Sequence, residues 1–290
     1  MRFLASIFIA ILTCITVANA QSNDPEEPAA AALEAMFKVL ASSETLLPEI
    51  AGDYGFSGNA QGVYADHLKK TFLDPDIRDF LVRSYKGQVS VKENGNVTLR
   101  SYQDVMGALR GRLMLLSSEG ASRLPIDDLV QYQAILQKAL LAVSEKGIEE
   151  CLDTGQAYIS VRQPTSNRRD ALYTRFGALQ ALDAKSLHTF LQYHRDAIRH
   201  FWLDTGAQLQ LQGQGLEIAQ GIANAELDRL AADHPNKAGL EAAWYDGDKT
   251  SENVCDTLKL DWQLLENLSG DQARFVALYM HELMEGLYKE

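Results

Sequence analysis

Apolar residues recur along this chain at spacings of three and four, the period of a helix with one buried face. Leu33, Met36, Phe37 and Leu40 form a first stripe behind an alanine run. Asp74-Pro75 supplies a cap and a first-turn proline ahead of Ile77, Phe80 and Leu81. Ser101 opens a stripe of Val105, Leu109, Leu113 and Leu116 with Gly120 as its stop, and Leu129, Tyr132, Leu136, Leu140 and Val143 carry another towards Gly147. In the second half Asn167 precedes Leu172, Phe176 and Leu179. Asp183 precedes Leu187, Phe190, Leu191, His194, Ile198 and Phe201, with Gly206 beyond them. Ser251 leads to Val254, Leu258, Leu265 and Leu268. The capping pattern Ser269-Gly270-Asp271-Gln272 opens a last helix that points Val276, Tyr279, Leu283 and Leu287 inward. The expected fold class is all-α, with eight or more helices.

Two stretches alternate instead. Val89 and Val91 on one side of Asn94-Gly95, with Val97 and Leu99 on the other, predict one small β-hairpin near residues 88–100, because Asn-Gly suits a tight type I′ turn. Gln208-Leu209-Gln210-Leu211-Gln212 alternates too, but Gly213 and Gly215 make a short excursion or a helix entrance equally compatible. No internal repeat is evident. Residues 153–166, from Asp153-Thr154-Gly155 to Pro164-Thr165-Ser166, form the candidate boundary between two docked helical halves; a single domain over 29–290 is the simpler expectation.

The N-terminus changes the picture. Arg2 precedes an apolar run from Leu4 to Val17, and Ala18-Asn19-Ala20 follows, which is the layout of a secretory signal peptide cleaved after Ala20. The run falls short of the roughly 20 residues that a spanning helix needs, so no transmembrane segment is expected after cleavage. Residues 21–28, polar and carrying two prolines, read as a flexible leader. The expected location is periplasmic or secreted. Of three cysteines, Cys14 would leave with the signal, and Cys151 and Cys255 would meet an oxidising compartment, where such a pair is usually a disulfide. Asn96-Val97-Thr98 and Asn267-Leu268-Ser269 fit the glycosylation pattern, which matters only in a eukaryotic secretory route.

Composition excludes more than it selects. The 290 residues are 46% hydrophobic and 23% charged, which argues against a largely disordered chain. Twenty-seven Lys and Arg against 39 Asp and Glu give a formal charge of −12, which argues against nucleic acid as a partner. The basic doublets Lys69-Lys70 and Arg168-Arg169 are most simply helix-surface charge.

Candidate chemistry concentrates in the last helix, at His281-Glu282-Leu283-Met284-Glu285. Residues four apart share a helical face, so His281 and Glu285 are candidate zinc ligands, with Glu282 as a catalytic base beside them. The second histidine of a zinc-peptidase motif is missing, however. His281 also lies about 200° from Leu283, away from the predicted apolar stripe, which favours a surface pair. His188, His194 and His200 recur every six residues and spread around their helix, and only His194 falls on the apolar stripe, as a core histidine. Asp246 to Glu252 has alternating oxygen donors without the spacing of a calcium loop.

These residues point first to an exported, non-catalytic helical protein with no cofactor, binding a basic protein partner in an inhibitory, immunity-like or envelope-assembly role. The competing expectation is an exported hydrolase, zinc-assisted through His281 and Glu285.

Overall fold

Helix α1 (Glu26–Ser42) buries Leu33, Met36, Phe37 and Leu40, the stripe legible in the sequence. The computed structural model describes residues 26–85, 89–91, 97–99, 102–160, 174–242 and 250–285. The predicted signal segment, Asn94-Gly95, Ser101, Asn167, Arg168-Arg169, Leu172 and Leu287 lie outside them. The leader expected over 21–28 is described from residue 26, and there Glu26, Glu27 and Pro28 are the first turn of α1. A first turn tolerates proline and favours acidic side chains, so the residues that read as a leader suit a helix start.

The fold is all-α. After α1 come α2 (Leu46–Asp53), α3 (Gly58–Leu73), α4 (Pro75–Tyr85), α5 (Tyr102–Gly120), α6 (Ile126–Ser144) and α7 (Ile148–Ser160). A helical stretch at 174–178 leads to a 3-10 turn, Leu179–Ala181, and then to α8 (Ala184–Trp202), α9 (Gln214–Ala232) and the short α10 (Lys237–Glu241). Helices α11 (Ser251–Asp261) and α12 (Gly270–Glu285) follow. Between α4 and α5 two three-residue strands, β1 (Val89–Val91) and β2 (Val97–Leu99), pair antiparallel with Val89 opposite Leu99. Among the described residues no helix is long and apolar enough to cross a membrane.

The chain divides into two compact units. The first takes in residues 26–54 and 61–113, the second 55–60 and everything from Met114 onward. This division falls within α5, not at 153–166. Asp153, Thr154 and Gly155 continue α7, and a Cβ on Gly155 would collide with Leu258, so that glycine is a close helix contact rather than a loop signal.

In the first unit α1 packs on α2, α4 and both strands, and Phe37 stacks on Phe72 of α3 with ring centroids 5.4 Å apart. Asp74 Oδ1 accepts the backbone N–H groups of Asp76 and Ile77 at 3.0 and 3.2 Å, so Asp74-Pro75 starts α4 as its residue types dictate.

The second unit is built around α6, which touches α7, α8, α11, α12 and the 3-10 turns at Ala121–Arg123 and Leu179–Ala181. A helix so surrounded must bury more than one face, and Leu129, Tyr132, Gln133, Leu136, Gln137, Ala139 and Leu140 are all buried. Gln137 makes that wrap polar-competent: its Oε1 accepts the N–H of Leu265 at 3.3 Å and its Nε2 meets Met280 Sδ. Helix α8 starts at Asp183, whose Oδ1 accepts the Ser186 N–H at 2.9 Å, and turns Leu187, Phe190, Leu191, His194, Ala197 and Ile198 inward.

Candidate functional site

The second unit has a half-open pocket of about 20 Å³, enough for one water-sized body. Tyr132 and Leu136 of α6 form one wall, and Phe190 of α8 stacks on Tyr132 with centroids 4.7 Å apart. Ser117 and Ser118 close it from the end of α5, and Arg175, Phe176 and Leu179 from the segment before α8. Phe176 is fixed edge-on to Phe56, 6.4 Å between centroids. Into this mostly apolar wall projects one permanent charge. Arg175 is 5% exposed, and its Nε and Nη1 are buried without a hydrogen-bond partner.

His194 lies behind the same wall, its ring 5.3 Å from Phe176 and 6.5 Å from Phe190. Burial, with the neighbouring Arg195 charge second, pushes its imidazole down to about 3, so it is neutral at physiological pH. His200, further along α8, meets Thr205 Oγ1 through Nδ1 at 3.0 Å.

The outer sides of α6 and α8 carry a second electrostatic feature. Burial and the charges of Asp196 and Asp127 raise the Asp128 carboxyl above its ordinary range. Tyr193 is raised by burial and then by Asp128 and Asp196. Asp127 itself is forked by Arg274, Nε to Oδ1 at 2.9 Å and Nη2 to Oδ2 at 3.2 Å, and Arg274 also reaches Asp271 at 3.1 Å. The result is a face where like charges crowd, offset in part by Arg274 at Asp127 and by His200 at Asp128.

The residues singled out for metal chemistry are placed otherwise than their sequence pattern suggests. His281 is 1% exposed and Glu282 4%, so neither is a surface group. The reason is that α12 packs against α6 and α9 together, and its buried residues Ala273, Val276, Ala277, Leu278, Met280, His281 and Glu282 cover a wider arc than the predicted stripe, of which Val276 is buried, Tyr279 is half-buried and the side chains of Leu283 and Leu287 lie outside the described residues. Glu282 Oε1 accepts the backbone N–H of Leu211, tying the irregular 207–212 segment to α12. The side chain of Glu285 lies outside the described residues. Among the described residues no three His, Cys, Asp or Glu side chains are grouped so as to hold a metal ion.

Cys151 of α7 and Cys255 of α11 form a disulfide, with their Cα atoms 5.8 Å apart across 104 residues of sequence. Residues 246–249 of the Asp246–Glu252 stretch lie outside the described residues; beyond them Thr250 Oγ1 accepts the Asn253 N–H at 3.4 Å and caps α11. Of the two glycosylation patterns, Asn267 is exposed and Asn96 lies outside the described residues.

Arg175 is the residue that pattern reading passed over. Leu172 and Leu179 stand three before and four after it, so it sits within the apolar stripe assigned to its helix. A charged residue inside such a stripe is the signal that would have found it. Compared with known protein families, curated proteins and solved structures, the chain shows no match.

Proposed function

We propose that this is an exported, non-catalytic helical protein that docks a basic region of a protein partner on the acidic face of α6 and α8. The observation that carries the reading is the placing of Asp128 beside Asp196 and Asp127: burial first, and the two carboxylate charges after it, raise the Asp128 carboxyl, and a cationic partner would relieve the repulsive part. The formal charge of −12, which becomes −13 once Arg2 is removed with residues 1–20, favours steering of such a partner. Export rests on the N-terminal apolar run, with cleavage after Ala20, and is supported by the Cys151–Cys255 bridge, since disulfides persist in oxidising compartments.

The test combines location and contact. Cell fractionation with N-terminal sequencing should find the chain outside the cytoplasm beginning at Gln21, and a cytoplasmic chain retaining residue 1 would overturn export. Cross-linking of the tagged protein in place, followed by mass spectrometry, should yield a partner joined through α6 or α8. Its yield should drop several-fold in Asp128→Asn/Asp196→Asn with helicity unchanged. A yield indifferent to the double substitution, or a protein that always emerges alone, would remove the acidic-face reading.

A further inference from the structure

The chain between α8 and α9 is fastened along one edge. Leu209 donates its N–H to the Ser122 carbonyl at 2.8 Å, and Leu211 donates its own to Glu282 Oε1. Residues 207–212 contain no helix, turn or bend and no positive φ. N–H groups two residues apart that turn to the same side mark an extended path, in which successive residues present their N–H and C=O to opposite edges. Burial alternates in step: Leu209 and Leu211 are half-buried, and Gln208, Gln210 and Gln212 are exposed.

The opposite edge is unused. Among the described residues nothing hydrogen-bonds the main-chain N–H or C=O of Gln208 or Gln210. The run stops at Gln212, whose carbonyl already accepts the Gly215 N–H at 2.9 Å. Proteins guard such edges with charge, proline or a covering element, because an open edge is a template for another strand. From Thr205 to Leu216 this chain has neither a charge nor a proline, although 23% of its residues are charged.

We propose that this edge pairs with the same edge of a second copy of the chain, antiparallel about a two-fold axis at Leu209. In that register Gln208 lies opposite Gln210 of the other copy and the two exchange both main-chain bonds, so the unused N–H and C=O groups of each chain are all satisfied. Leu209 faces its own counterpart as a non-hydrogen-bonded pair, as it must, because its N–H is already turned to Ser122. Ala207 falls opposite Leu211, so apolar side chains meet on one face. The amides of Gln208 and Gln210, which both donate and accept, meet on the other. An uncharged edge also brings the two copies together without local repulsion, in a chain whose formal charge is −12. The pairing is separate from the acidic face on α6 and α8 and does not depend on that reading.

Sedimentation equilibrium of the purified chain from about 10 μM to 1 mM covers the affinities that so short a pairing supplies. A reversible monomer–dimer equilibrium is expected. Gln210→Pro deletes a donor that the monomer does not use and should weaken the dimer about tenfold or more. A chain that stays monomeric throughout would overturn the proposal and leave the edge to an extended segment of another protein. A dimer indifferent to Gln210→Pro would overturn it too. The register has its own readout, made in a Cys14→Ser background. Residues opposed in a non-hydrogen-bonded antiparallel pair stand about 4.5 Å apart at Cα, within disulfide reach. Leu209→Cys should therefore give a covalent dimer under oxidised glutathione. Gln212→Cys should not, since Gln212 lies opposite Gly206 and roughly 20 Å from its own counterpart. Equal cross-linking at the two positions, or none at Leu209→Cys, would overturn the proposal even if Gln210→Pro fails to fold.

Discussion

Gly120, the last residue of α5, lies against the main-chain carbonyl of Ala197 in α8, so close that a Cβ on the glycine would collide with that carbonyl and touch Phe201 Cβ at 3.0 Å. Its φ of −80° is open to any residue, so space and not conformation demands glycine here. Gly120→Ala should therefore destabilise the chain by about 2–3 kcal/mol, the cost of overpacking against a backbone that cannot swing aside. Gly221 provides the contrast: it lies exposed within α9, with nothing within 4 Å of an added Cβ. Gly221→Ala should stabilise by roughly 0.5–1 kcal/mol through helix propensity. Urea unfolding of both variants checks the pair, and a stabilising Gly120→Ala would refute the close approach.

The bridge between α7 and α11 is fully enclosed, Cys151 at 0% and Cys255 at 2% exposure, and Gly155 one turn further along α7 receives Leu258 of α11. The same two helices are thus fastened once by covalent bond and once by close packing. Replacing both cysteines by alanine should lower stability by about 2–5 kcal/mol, since the bridge closes a long loop in the unfolded chain. Denaturant midpoints of the oxidised chain and the double variant measure this. Thiol labelling after denaturation without reductant should find neither Cys151 nor Cys255 reactive, and both after reduction.

Helix content was legible because it depends on periodicity and caps, both of which are local. Asp74 and Asp183 start helices as their residue types require, and the α8 stripe from Leu187 to Ile198 is buried as its spacing implies. Burial that depends on which helices become neighbours was not legible. His281 falls off the stripe drawn from Val276, Tyr279, Leu283 and Leu287, yet it is buried in a helix that packs against two others. Gly155 resembles a loop signal until Leu258, far away in sequence, is seen to occupy the space above it. In the 207–212 segment the alternation carried real information without making a strand: Leu209 donates its N–H to Ser122 O at 2.8 Å, and Leu211 donates to Glu282. Arg175 was hidden for the same reason, since a lone arginine acquires meaning only when its neighbours prove to be apolar.

The bond from the Leu211 N–H to Glu282 is a charge-assisted link between an irregular segment and the core. Removing the acceptor with Glu282→Ala leaves a backbone donor without its partner and should cost about 1–3 kcal/mol, whereas Glu282→Gln, which retains a carbonyl oxygen, should cost less. Hydrogen exchange locates the effect: the amide of Leu211 should lose protection in Glu282→Ala while those of α6 keep theirs. Uniform loss of protection across the second unit would mean that Glu282 supports the packing of α12 rather than the 207–212 segment.

His194 gives the chain a specific sensitivity to acid. In the folded protein burial holds its pKa down to about 3, whereas the same imidazole in the unfolded chain titrates near 6.5. Between these values the unfolded state binds a proton that the folded state refuses, so stability rises with pH across that window. The contribution is whole above about pH 6.5 and is lost progressively as pH falls towards 3, with a slope approaching ~1.4 kcal/mol per pH unit. His194→Gln keeps a polar side chain but binds no proton in this range. The stability advantage of the unsubstituted chain over this variant should therefore shrink by about 3 kcal/mol between pH 7 and pH 4. Carboxylates such as Asp183, held below its ordinary range by Ser186 and Lys138, also lose their stabilisation on acidification, but they are common to both chains and cancel in the difference. Urea unfolding at intervals across that range supplies the comparison, and parallel stability profiles for the two chains would show that His194 does not refuse the proton in the folded state.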